Sequence, residues 1–254
     1  MKACWYEKTG PAKDVLQFGN IETPVAKAGE ARIKIYASGI NPADVKLRSG
    51  FSTYGYNFPF VIPNSDGAGV IDQVGKGVTE ELLESRVWFF NGQRLGRAYG
   101  SGAEFITLDT KYITPLPEGV PFDEGATLGI PAMTAYHSIF SDGPVTGKTI
   151  LVTGGSGAVG FYCVSLASWG GARVLATVSS VEKGENALGS LGGTYSRISE
   201  QNHPDTGSKC CDRIHIVYDD FNQNDETQPY KRYKITYYAA PLTDNAGSRY
   251  AAYK

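Results

Sequence analysis

The stretch "TILVTGGSGAVGFYCVSLASWGGARVLATVSS", from Thr149 to Ser180, constrains this chain more than any other. An apolar strand runs into glycines, a helical pattern follows, and a second strand ends in two serines. Inside it stands Gly155-x-Gly157-x-x-Gly160. Such a loop meets a pyrophosphate with a helix N-terminus, whose free N–H groups and positive dipole end favour anions. Gly155 is expected to permit the tight turn, Gly157 to let the backbone approach the phosphates, and Gly160 to pack helix on strand. Gly155, Ser156, Gly157, Ala158, Val159 and Gly160 are therefore the candidate phosphate-binding residues. A plain tight strand–helix turn is the alternative. The helix is expected to turn Val159, Cys163, Leu166 and Ala167 toward the sheet, which makes Cys163 a small core residue.

The end of the second strand bears on which dinucleotide binds. An NAD site usually places Asp or Glu there, for the ribose 2′-OH. Here Ser179 and Ser180 end the strand and Lys183 follows. Hydroxyls donate to a 2′-phosphate and a lysine balances its charge, so the expected cofactor is NADPH. The alternative is that the serines cap the next helix.

The rest of the chain supplies context. Ahead of the glycine loop, "ARIKIYASGI" alternates, with Ala31, Ile33, Ile35 and Ala37 on one face. "GVIDQVG", "SRVWFF", "AEFITLD" and "KYITPLP" are further short strands between turn residues, a pattern that suggests a closed or partly closed β-barrel. The pattern changes near Pro121, with a helix start at Asp123 and a second helical stretch after Pro131. Strands then alternate with helices, which predicts a doubly wound parallel sheet. Past about residue 200 the chain is polar and irregular, with "RIHIVYDD" and "YKITYYAAP" as possible strands.

Composition excludes several classes. The formal net charge is -2, which gives no electrostatic case for nucleic acid or an anionic membrane. No apolar run is long enough to span a bilayer. The start "MKACWYEKTG" lacks an apolar signal core, and the four cysteines form no CxxC pair. Both features suit a reducing compartment, so a cytoplasmic location is expected.

"SGINPADVKLRSG", "FPFVIPNSDGAGVIDQVGKGV", "YGSGAEF", "PLPEGVPFDEGATLGIPAMTAY" and "ILVTGGSGAVG" occur in one order over about residues 1 to 195. Together they resemble the medium-chain dehydrogenase/reductase superfamily, in its zinc-independent quinone oxidoreductase branch, which includes zeta-crystallin. The resemblance implies a GroES-like β-barrel domain over 1–122 and a Rossmann-type NADPH-binding domain over 123–254, irregular past 200. It implies hydride transfer to a quinone or an α,β-unsaturated carbonyl. Zinc-dependent relatives carry a cysteine where this chain has "SGINPAD" and Gly-His-Glu where it has "NSDGAG". Neither cysteine nor histidine stands at either place, so no metal is expected.

By the same resemblance Asn41 lies near the nicotinamide and the substrate carbonyl, with an Asn-Pro turn role as the alternative. Thr134, in "PAMTAY", matches a threonine near the nicotinamide carboxamide; its alternative is a helix hydroxyl bonded to the preceding turn. A pocket tyrosine follows "RSG" in relatives, and in "RSGFSTYGY" the candidate is Tyr54. Asp44 reads as structural. Where relatives have a "GDRV"-like turn, this chain has Glu84-Ser85-Arg86. A homodimer is the expected partner, and a non-catalytic, crystallin-like NADPH-binding protein is the alternative function.

Overall fold

In the computed structural model, residues 1–51, 58–94, 96–178, 194–196 and 215–218 are described, the last two segments by backbone alone. Tyr54, Ser179, Ser180, Lys183 and the "YKITYYAAP" strand lie outside them. Contacts divide the chain into two units, Met1–Ser141 and one that begins at Asp142.

The first unit opens with β1 (Lys2–Trp5), the single turn α1 (Ala12–Val15) and β2 (Gln17–Asn20), which pairs antiparallel with β1. Then come β3 (Glu30–Gly39), helix α2 (Pro42–Ser49), β4 (Asp66–Val74), β5 (Arg86–Phe89), β6 (Phe105–Asp109) and β7 (Ile113–Pro115). The last five strands form one antiparallel sheet, ordered β6-β3-β4-β5-β7. All four strands expected after β3 are present.

The pleat of each strand sends alternate residues inward, and the apolar ones lie there. Ala31, Ile33, Ile71, Val87, Phe89, Ile106 and Leu108 form one core cluster, each at most 2% exposed. On the outer face Arg32 grips Asp72 across β4 with two bonds, of 2.9 and 3.0 Å. Arg97 works within the fold too, donating to the carbonyls of Gly92 and Thr107.

Helix α2 shows its boundaries in its residues. Asn41 is the N-cap, Pro42 has the φ a first helical residue needs, and Gly50 closes the helix with φ 87°. Beyond β7 lie α3 (Phe122–Gly125), an irregular turn over Leu128–Ala132 and α4 (Met133–Phe140). Pro131 and the non-helical ψ of Gly129 account for the irregularity. Phe122, Ala126 and Leu128 pack on Ala68 and Leu116, so this segment belongs to the first unit's core. The compact unit therefore runs past the change of pattern at 122/123 that the sequence displays, because the first helices seal the sheet before the chain leaves it.

The second unit contains β8 (Thr149–Val152), α5 (Ala158–Trp169) and β9 (Arg173–Val178), with β8 and β9 parallel. This is the expected strand–helix–strand unit. Gly160, Cys163, Val164 and Ala167 form the buried face of α5. Val159 and Leu166 are only partly buried, so the helix is rotated from the expected stripe, and Val164 takes the central place. The reason is Gly160, whose missing side chain lets the helix lean on the loop along that line. Two further strands, β10 (Thr194–Ser196) and β11 (His215–Tyr218), complete a sheet ordered β10-β11-β9-β8. The β11 strand appears where "RIHIVYDD" suggested one. It runs antiparallel to β9, so among the described strands only β8 and β9 keep the parallel arrangement.

Glu84 occupies the β4–β5 turn with φ 62°, in the left-handed region. Its N–H bonds the Ile71 carbonyl at 2.9 Å, so the turn geometry is fixed by the hairpin. A non-glycine residue there costs roughly 1–2 kcal/mol, partly offset by its stiffer unfolded chain. Glu84→Gly is expected to raise the unfolding free energy by about 0.5–1 kcal/mol in urea titration, with no change in m-value.

Candidate functional site

Two clusters carry chemistry, one in each unit. In the first, the Asn41 backbone N–H donates to Asp44 Oδ2 at 2.8 Å, one half of a reciprocal capping box. The Asn41 carboxamide reaches across to β4, where Nδ2 donates to Asp66 Oδ2 at 2.7 Å. The Ile130 N–H donates to the same oxygen at 2.8 Å. Thr134, on α4, donates its hydroxyl to the Ile130 carbonyl at 2.5 Å. Asn41, Asp66, Ile130 and Thr134 therefore form one bonded chain.

Around it, Ser65 donates to Asp44 Oδ1 and to the Gln93 carbonyl. Ser101 donates to the Asp66 carbonyl at 2.6 Å. Asp44 is thus a structural cap, as its sequence context suggests. Burial pushes the Asp66 carboxyl up to about 6, against the pull of the Ile130 and Asn41 bonds; nearby Asp44 raises it further and Arg94 opposes. The Asp44 carboxyl is raised as well, first by burial. Asp66 Oδ1 is buried and has no hydrogen-bond partner among the described residues.

The Thr134 hydroxyl spends its proton on the preceding turn, the alternative that its helical position offers. Its lone pairs remain as acceptors, and the residue is exposed. Only one of the two Asn41 amide hydrogens is committed to Asp66.

In the second unit, β9 anchors the glycine loop. Thr177 accepts the Gly154 N–H on its hydroxyl at 3.0 Å and the Gly155 N–H on its carbonyl at 2.8 Å. The left-handed residue is Gly154, with φ 69°, not Gly155. Gly155 is restricted for another reason: a Cβ there would lie 2.8 Å from Ala176 Cβ. Gly160 is tighter still, since its Cβ would meet the Gly154 carbonyl oxygen at 2.1 Å. Gly157 caps α5, and a side chain there would approach only the Gly154 oxygen, at 3.3 Å. The first bond of α5 runs from the Phe161 N–H to the Gly157 carbonyl. The N–H groups of Ala158, Val159 and Gly160 therefore precede any intrahelical partner, and no acidic residue in the first turn competes with an anion. Ser156 and Gly157 are exposed at the loop's tip. These residues suit a pyrophosphate.

Sequence reading missed Asp66, Ile130 and Thr177. Asp66 carried a signal, an acid within "SDGAG" beside a strand with no cation nearby. Ile130 and Thr177 act through backbone or local bonds that only the fold reveals.

Residues 27–118 match the family model for the alcohol dehydrogenase GroES-like domain. The chain is 35% identical over 178 residues to a quinone oxidoreductase of Rattus norvegicus, covering 70% of this chain and 52% of that protein. It is 33% identical over 234 residues to a 2-methylene-furan-3-one reductase of Solanum lycopersicum, covering 89% and 58%. A mycobacterial structure complexed with NADPH superposes with TM-score 0.65 at 28% identity, over 75% of this chain and 57% of that one. Over residues 27–118 the chain carries a GroES-like domain of the alcohol dehydrogenase kind, and over most of its length it is similar to the quinone oxidoreductases. It spans about half the length of the curated relatives it matches.

Two outcomes are expected. Gly160→Ala forces the helix off the Gly154 carbonyl and should weaken NADPH at least tenfold by fluorescence titration, on the order of a lost oriented donor set. The second concerns Asp66, whose folded carboxyl holds its proton to about pH 6 against an unfolded value of 3.8. Proton binding then favours the folded state, so this residue's contribution to stability is present at low pH and is lost as pH rises from about 4 to about 6. The wild-type unfolding free energy should fall relative to Asp66→Asn across that window, by about 3 kcal/mol at most.

Proposed function

We propose that the chain is an NADPH-dependent oxidoreductase that transfers hydride to a quinone or an α,β-unsaturated carbonyl without zinc. The observation that carries it is the Gly154–Gly160 turn, where a side chain on Gly155 or Gly160 would collide with the fold and where the N–H groups of Ala158, Val159 and Gly160 precede the first bond of α5. The similarity to quinone and enone reductases supports the acceptor class, and the NADPH-complexed structural relative supports the nucleotide. Among the described residues, no group of three or more His, Cys, Asp or Glu side chains is placed to hold a metal.

When bound, NADPH supplies the hydride. The chain's own residues bind and orient. Ala158, Val159 and Gly160 donate to the pyrophosphate, while Ser179, Ser180 and Lys183 meet the 2′-phosphate. Thr134 offers lone pairs to the carboxamide N–H of the nicotinamide. Asn41 would hold the acceptor carbonyl through its second amide hydrogen, where a donor would stabilise developing negative charge. Tyr54 is the tyrosine proposed to serve the acceptor. We further place the protein in the cytoplasm as a homodimer. The buried, raised Cys163 thiol and the free Cys4 are compatible with a reducing compartment.

A non-catalytic NADPH-binding protein is the second reading, favoured by the antiparallel β11 beside β9, where a doubly wound sheet continues in parallel.

One titration separates the two. NADPH should bind more tightly than NADH, and adding a panel of quinones and alkenals should then consume nicotinamide absorbance. Lys183→Ala should weaken NADPH about tenfold or more and NADH less than about threefold, as loss of one phosphate contact implies. NADPH that raises the melting temperature by mass action and survives every acceptor would establish the second reading.

A further inference from the structure

Asp66 sits at the start of β4, 0% exposed, and no step of the proposed reaction uses it. A carboxylate in that place is unfavourable unless something needs it. Among the described residues no cation contacts it; the charged groups that face it are Asp44 from α2 and Arg94 from the segment after β5, the first repelling and the second attracting. Its Oδ1 is buried and has no partner among the described residues. Its Oδ2 takes two donors, Asn41 Nδ2 at 2.7 Å and the Ile130 N–H at 2.8 Å. The surrounding backbone is shaped to the group. A Cβ on Gly129 would lie 2.3 Å from the Asp66 carboxyl carbon, and one on Gly39 would lie 3.1 Å from Asp66 Cβ.

We propose that Asp66 is a positioning residue of the reductase site, whose Oδ2 fixes the Asn41 carboxamide and, through the Ile130 peptide, the Thr134 hydroxyl. The inference rests on the reading that Asn41 serves the acceptor carbonyl and Thr134 the nicotinamide. One oxygen sets both groups. Asn41 is held by its amide hydrogen, which points its second hydrogen in one direction. Ile130 is held by its N–H, and its carbonyl in turn takes the Thr134 hydroxyl at 2.5 Å. Neither Asn41 nor Thr134 can shift without breaking a bond in this chain. An oxygen carrying negative charge makes both bonds stronger than a neutral acceptor would. An Asn at position 66 supplies one acceptor oxygen for the same two donors, with its NH₂ where Oδ1 stands, and so preserves the shape with weaker bonds.

The test has a spectroscopic arm that needs no turnover. In proton–nitrogen spectra of the full chain without nucleotide, the Asn41 side-chain amide is assigned by its loss in Asn41→Ala. In the wild type that signal should move as pH is lowered from 8 to 5; in Asp66→Asn it should stay fixed. The kinetic arm compares acceptor reduction. Asp66→Ala should lower kcat about 10²-fold and Asp66→Asn about tenfold, with KM for the acceptor within about threefold, since misplacement costs the chemical step rather than binding. An Asn41 signal indifferent to both pH and Asp66→Asn overturns the proposal, as does a raised KM with kcat retained. Should Asp66→Ala fail to fold, the spectra and Asp66→Asn still decide. Absence of turnover in the wild type would remove the reductase reading, while the spectra would still judge the coupling of Asp66 to Asn41.

Discussion

The first unit is organised around one buried oxygen. Asp66 Oδ2 receives a side-chain donor from the cap of α2 and a backbone donor from the turn before α4. Those elements lie far apart in the chain, and the bonds reach from residue 66 to 41 and to 130. A buried acceptor with two donors holds them rigidly because each donor, if released, would lose its partner out of reach of water. The sheet supplies the platform, since β4 is the central strand of five and both neighbours bury it. Small residues complete it: Gly129 and Gly39 leave the volume that the carboxylate and the crossing backbone fill.

The glycine loop obeys the same logic with different means. There the chain removes side chains rather than adding charges. Gly160 and the Gly154 carbonyl occupy space that a methyl group would claim, and Thr177 pins the loop from β9 with one hydroxyl and one carbonyl. What is left is a row of backbone donors at a helix end whose first turn holds no acidic residue. Rigidity here comes from close approach, and charge is left for a ligand to bring.

Much of this was legible in the sequence because it rests on periodicity and local geometry. The alternation of Ala31, Ile33, Ile35 and Ala37 follows from the pleat, and the glycine spacing follows from what a strand–helix turn can tolerate. Asp44 was legible as structural, while its pairing with Asn41 in a capping box shows only in the fold. The errors fell where tertiary contact overrides local pattern. The stripe of α5 turned because Gly160 leans on the loop. The left-handed turn moved to Gly154, a choice between adjacent glycines that spacing alone does not make. The role of Asp66 was hidden because its partners come from distant segments, one of them a main-chain N–H that carries no side-chain signature.

The position of Asp66 also bears on the reading of its sequence stretch. At "NSDGAG", where zinc-dependent relatives have Gly-His-Glu, this chain has Ser65 and Asp66. Ser65 is turned into the fold, bonding Asp44 and the Gln93 carbonyl, and so offers no metal donor. Asp66 Oδ2 is committed to Asn41 and Ile130, while Oδ1 has no partner among the described residues. Through Asp66 Oδ2 the stretch orders two neutral groups, a carboxamide and a backbone N–H. A carboxylate placed one residue away on the strand would point to the opposite face of the sheet and reach neither group.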